Sequence, residues 1–138
     1  MLHALLLILL SLVEPTLRDP SAELQCLASR DWSYCFTVED YNWFSRAIYC
    51  ESGNLPDGDE MEAVGWTLTH RFYQTREVFP SFSHFLQEYC QCINPRWGSL
   101  GDKRTSRNIV SRVDDMRAKP FWSIPVGPKV AALNIMAG

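Results

Sequence analysis

The chain lacks an apolar run of the roughly 20 residues needed to span a bilayer. Ala4 to Val13 is unbroken except for Ser11 and stops at about ten residues. That length suits the hydrophobic core of a signal peptide, so export to the periplasm or the extracellular side is expected, and membrane contact only through this segment. Residues 1–30 then read as leader and linker, and 31–138 as the domain. No Lys or Arg precedes the run, and the small-residue site near Ser21-Ala22 is poorly formed, so an apolar N-terminal helix packed on the domain, or a wrongly chosen start, stays open as the alternative. Glu23-Leu24-Gln25-Cys26 lacks the small residues expected before a lipoprotein cysteine.

There is also no excess of positive charge. The net charge is -3, and the bases are scattered apart from Lys103, Arg104 and Arg107. That leaves no electrostatic footprint for nucleic acid, and none is expected as a partner. Histidine is scarce, with His3, His70 and His84 far apart, and no two cysteines have C-x-x-C spacing. No metal site and no cofactor are expected. Internal repeats and low-complexity segments are missing too.

What the chain does have is 138 residues at 46% hydrophobic content, enough for one domain with a real core and too little for two. A monomer is expected. Five Trp, five Tyr and seven Phe exceed the needs of a minimal core, and some of these rings suit a groove that stacks on sugars or bases. Cys26, Cys35, Cys50, Cys90 and Cys92 fit up to two disulfides plus one free thiol in an oxidising compartment. Their pairing is not legible, except that Cys90 and Cys92, two apart in an extended strand, point to opposite faces and do not pair with each other.

The spacing predicts a mainly α (α+β) fold. Glu14 to Arg30 reads as a linker, with the domain starting near Trp32. Thr37 followed by Asp40 resembles a capping box and opens a helix from Val38 to Ser52, which Gly53 stops. Asn54 to Gly58 has turn chemistry, and Asp59, with Glu62 three residues on, opens a second helix. Its stripe is Met61, Val64, Leu68 and Phe72, and Gly65 allows a neighbour close. His70 suits a hydrogen-bonded structural role better than a base. A short helix follows over Ser81 to Gln87. Glu88 to Gly98 reads as an extended strand or loop, a small hairpin-like segment beside a groove. A further helix is expected from Thr105 to Arg117, burying Ile109, Val110, Val113 and Met116, then a last apolar segment from Val130 to Met136 introduced by Pro128.

Chemistry concentrates at Glu51. Trp43, Ala47 and Glu51 share one helical stripe with Phe44 and Ile48 beside it, so the face that enters the core ends in an acid. Desolvation raises a carboxyl pKa, and an acid kept protonated near neutral pH can donate to a glycosidic oxygen. The competing reading is a Glu at a frayed helix end, facing solvent.

The passage Arg46-Ala47-Ile48-Tyr49-Cys50-Glu51-Ser52-Gly53, followed by Glu62-Ala63-Val64-Gly65-Trp66-Thr67-Leu68-Thr69-His70-Arg71-Phe72, resembles the bacterial cell-wall hydrolase family typified by the spore-cortex-lytic enzymes. His70 stands where that family usually has Asn. The segment Tyr89-Cys90-Gln91 with Asn94-Pro95-Arg96-Trp97 is similar to its glutamine-containing groove segment, and Glu51-Ser52 to the Glu-Ser pair of lysozyme-like lytic transglycosylases. The resemblance spans Phe44 to Trp97. It implies a lysozyme-like helical domain with peptidoglycan glycan strands as partner.

On that resemblance Glu51 protonates the β-1,4 bond between N-acetylmuramic acid and N-acetylglucosamine. Ser52 would bond Glu51 or substrate, Gln91 and Asn94 the acetamido or hydroxyl groups, and Tyr89 and Trp97 would stack on sugar faces. Local structure offers another use for each: a helix-terminal hydroxyl for Ser52, a packed hairpin with backbone-bonded amides for the others. A hydrolytic muramidase needs a second carboxylate, and Asp57, Asp59 and Glu62 are nearest in sequence. Each has a simpler role in a turn or helix start, which favours the one-acid transglycosylase route. Other readings are a non-catalytic glycan-binding exported or phage-type module, and a toxin-like effector with the same chemistry.

Overall fold

The computed structural model describes residues 19–28, 33–53, 57–99, 101 and 106–138. The Ala4 to Val13 run, the boundary at Trp32, the turn residues Asn54 to Pro56, Lys103, Arg104 and the helix start at Thr105 lie outside them. Among the described residues the chain is mainly helical, with a two-stranded antiparallel sheet. Strand β1 (Glu23–Ala28) pairs with β2 (Ser33–Thr37), and five helices follow: α1 (Val38–Ser52), α2 (Gly58–Gln74), α3 (Phe82–Tyr89), α4 (Arg107–Ala118) and α5 (Val126–Met136). None of them is long and apolar enough to cross a membrane.

Helix α1 is the axis of the domain and packs against α2, α3 and α5. Its start is the expected capping box: Thr37 Oγ1 accepts from the Asp40 N–H at 3.2 Å, and Asp40 Oδ2 accepts from the Thr37 N–H at 3.0 Å. Its end is Gly53 at φ 59°, a left-handed conformation that favours glycine. Phe44, Ala47 and Ile48 are fully buried. Phe82, at the start of α3, sits among the rings of Phe36, Phe44 and Phe72, with centroids 4.8 to 5.4 Å apart in edge or tilted geometry. Gly65 holds α2 close to its neighbours, because a Cβ there would run into Ile135 and stand 3.1 Å from Ile48.

A second polar tie lies inside this core. Asp40 is fully buried, and besides the cap it accepts from the Tyr34 hydroxyl at 2.7 Å and the Ser83 N–H at 2.8 Å. Tyr34 Oη in turn accepts from the Phe82 N–H at 3.0 Å. One carboxylate thus joins β2, the start of α1 and the start of α3.

Five sequence expectations change. Glu23–Ala28, read as linker, is a strand: the hairpin partner and the Cys26–Cys35 disulfide supply order that its mixed polarity does not advertise. The expected strand or hairpin at Glu88 to Gly98 is instead the end of α3, a turn and a 3₁₀ helix at Pro95–Trp97, so the extended element lies at the other end of the domain. Helix α2 begins one residue early, because Asp57 caps it by accepting from the Asp59 N–H at 2.8 Å. In α4 Val113 is buried while Ile109 is exposed, since α4 packs mainly through its later turns. The last helix starts at Val126, with Pro128 inside its first turn.

Two disulfides and one free thiol are present, as counted: Cys26–Cys35, Cys50–Cys92, and buried Cys90. The separations are 9 and 42 residues. Loop-closure entropy then assigns about 2.5 kcal/mol to the first bridge and about 4 kcal/mol to the second. Replacing Cys50 and Cys92 by Ser is expected to lower the urea midpoint more than replacing Cys26 and Cys35. Equal shifts would mean that loop length does not govern the two bridges.

Candidate active site

Glu51 occupies the last turn of α1, where the stripe begun by Trp43 and Ala47 leaves the core. The residue is exposed, so the stripe ends at the rim of the core and not inside it. The carboxyl is nevertheless partly dehydrated, and burial raises its pKa above the ordinary glutamate value. Cys92 Sγ stands 3.3 Å from Glu51 Oε1. As a disulfide sulfur it has no proton to donate, so it acts as an apolar wall. The Cys50–Cys92 bridge joins the residue before Glu51 to the turn after α3, and so fixes the end of α1 against that turn.

Cys90 lies on the same side. Burial, then the charge of Glu51, push its thiol pKa up, so it stays protonated and unreactive. Native protein is expected to leave Cys90 unmodified by an alkylating reagent, and unfolding without reductant to expose one equivalent. Rapid native labelling at Cys90 would contradict this packing.

The remaining candidates separate. Ser52 is buried and donates to the Tyr49 carbonyl at 3.4 Å, so its hydroxyl serves the helix end. Asn94 is also engaged: its side chain accepts from the Arg96 N–H and donates to the Glu88 carbonyl, both at 2.9 Å, which shapes the turn before the 3₁₀ helix. Gln91 is exposed on that turn. Tyr89 is 52% exposed and stacks on Phe85 with centroids 5.0 Å apart, leaving its outer face open. Trp97 is half-buried with the Arg96 guanidinium 5.6 Å from its ring. Glu51, Gln91 and the Cys50–Cys92 bridge therefore meet at one turn, with Tyr89 one residue before it.

Of the acids considered as a second carboxylate, Asp57 caps α2, and Glu62 accepts from Asn134 Nδ2 at 2.7 Å to tie α2 to α5. Asp59 is exposed in the first turn of α2. His70 is exposed and meets Gln74 Nε2 at 3.2 Å, a local surface contact.

Two arginines were not anticipated. Arg46, buried in α1, donates to Asn42 Oδ1 and to the Met116 carbonyl, and Arg117 donates to the Ile93 carbonyl and to Gln87 Oε1. Their guanidiniums lie 5.5 and 4.8 Å from the Trp43 ring centroid, so α1 and α4 close on one indole. Burial, with Arg117's charge second, lowers the Arg46 pKa. For Arg46 the available signal was an Arg in an apolar stretch with no acid three or four residues away, which points to a non-local partner; Arg117, with Asp114 three residues before it, carried no such signal.

Beside this lock a cleft of about 430 Å³ opens between the end of α1 and α4, lined by Tyr49, Cys50, Cys92, Arg112, Asp115 and Lys119. It lies against the same bridge that Glu51 touches. Among the described residues the potential metal-ligating groups are Glu23, Cys26 and Cys35, and Cys50, Glu51 and Cys92, each with its donor atoms within 4.8 Å. In both, the two sulfurs are joined to each other and offer no thiolate.

Compared with protein-family models, curated proteins and solved structures, the chain gives no match.

Proposed function

We propose that this protein is a peptidoglycan-cleaving glycosidase of lysozyme-like fold that acts as a lytic transglycosylase through the single acid Glu51. The observation that carries the reading is a carboxyl of raised pKa at a helix end, held by a disulfide against a turn that offers Gln91 and, two residues before Gln91, the open ring of Tyr89. The resemblance of Arg46 to Gly53 and Glu62 to Phe72 to the cell-wall hydrolases supplies the substrate class. The structural duties of Asp57 and Glu62 support a one-carboxylate route.

Protonated Glu51 gives its proton to the glycosidic oxygen as the C1–O bond of the muramyl residue breaks and C1 gains oxocarbenium character. The resulting carboxylate takes the proton of the muramyl 6-hydroxyl, whose oxygen bonds C1. The products are a free 4-hydroxyl on N-acetylglucosamine and a 1,6-anhydro-muramyl end, and Glu51 is protonated again. Water in place of the 6-hydroxyl makes the enzyme a hydrolytic muramidase. Two disulfides favour an exported protein.

Mass spectrometry of the soluble products from purified peptidoglycan tests this. Anhydro-muramic ends are expected. Reducing ends would shift the assignment to hydrolysis, and no products would leave a glycan-binding module.

A further inference from the structure

The cleft between α1 and α4 has a charge pattern that cleavage of a bare glycan does not use. We infer that it is a subsite for the peptide stem carried by the muramyl lactyl group, with Arg112 and Lys119 taking stem carboxylates and Asp115 taking a stem ammonium. This rests on the proposed substrate class and narrows it to stem-bearing glycan.

Arg112, Asp115 and Lys119 follow one another at spacings of three and four, so they form one stripe along the end of α4 that faces the cleft. Among the described residues none of the three makes a salt bridge, although the spacing permits two. Their charges are available to a ligand. Helix α1 brings no base to its own last turn, so Arg112 and Lys119 supply the positive charge at this end of the groove.

Two cations around one acid complement a short peptide with two carboxylates and one ammonium, the pattern of a stem that contains a diamino acid. Arg112 suits a bidentate carboxylate contact and Lys119 a point contact. Tyr49 and Met116, also on the wall, offer apolar surface to a small side chain such as the first residue of a stem. The volume, about 430 Å³, lies within the roughly 300–1,000 Å³ of ligand clefts. Position completes the case, because the stem is carried on C3 of the same muramyl ring whose C1–O bond Glu51 would cleave, and the cleft shares the Cys50–Cys92 wall with Glu51.

The test is calorimetric titration of the Glu51→Gln protein with a soluble disaccharide bearing a diamino-acid stem, and with the same disaccharide after amidase has removed the stem. The stem is expected to tighten binding at least tenfold in low salt, with the gain shrinking as salt rises. In Arg112→Ala/Lys119→Ala, checked by thermal melting for folding, the two ligands should bind alike. A charge-preserving Arg112→Lys should keep part of the gain. Equal affinity for both ligands, or a stem gain that survives in the double variant, overturns the inference. A product assay on wild type separates the two proposals: stem-dependent binding through these cations without any cleavage retains the subsite and rejects the enzyme, and cleavage with no stem preference does the reverse.

Discussion

Glu51→Gln is expected to reduce glycan cleavage by several orders of magnitude while leaving glycan binding and the fold in place. Gln has the shape of protonated Glu but no proton to transfer, and general acid catalysis alone contributes roughly 10²- to 10⁴-fold. In a one-acid mechanism the same carboxyl also serves as base, so both half-steps fail together. The loss should appear in kcat with little change in KM, because the side chain acts on the transition state.

The raised pKa adds a pH signature. A general acid works only while protonated, so wild-type activity should fall as pH rises through the Glu51 pKa, above the ordinary glutamate range. Stability moves with it. At pH low enough to protonate both states, Glu51 contributes no pH dependence. As pH rises, the unfolded chain ionises first, and stability declines until the folded carboxyl ionises too. Glu51→Gln should therefore be at least as stable as wild type at neutral pH, with the advantage gone in acid. A variant that loses activity and stability together at neutral pH would mark Glu51 as a structural residue instead.

Among single substitutions, the largest loss of stability is expected from Asp40→Ala. Asp40 has no exposure and accepts from three groups, Tyr34 Oη and the N–H groups of Thr37 and Ser83. Removing the carboxylate leaves those donors buried without their acceptor, at a cost of roughly 3 kcal/mol or more. For a domain of this size that is a fall of about 10 °C in Tm. Asp40→Asn keeps one acceptor oxygen and should lose less. The control is Thr37→Ala, which removes only the cap and should cost about 1 kcal/mol. Similar melting points for Asp40→Ala and Thr37→Ala would mean that the contacts to Tyr34 and Ser83 add nothing.

The same residue shows where reading the chain stops. The reciprocal bonds between Thr37 and Asp40 follow from a three-residue spacing, so α1 was legible from its first residue to its glycine stop. Asp40's other partners are 6 and 43 residues away, and no local pattern points to them. The β1 strand was missed for a related reason: the pairing that orders it is with β2, and its own composition resembles a linker. At Asn94 the residue type was right for a sugar contact and equally right for a turn, and the fold assigned its amide to the backbone.

Sequence by itself determined the helices whose signals are local: caps, glycine stops and the 3.6-residue stripe that carries Glu51 to the end of α1. It also determined the number of cysteines. Only the tertiary structure decided which cysteines pair, that Glu51 sits at the rim of the core beside the Cys50–Cys92 bridge, that Arg46 and Arg117 close on Trp43, and that Arg112, Asp115 and Lys119 face a cleft there. The physical reason is range. Backbone hydrogen bonding and side-chain periodicity act over three or four residues and are written in order along the chain, whereas desolvation and charge depend on whatever packing brings alongside.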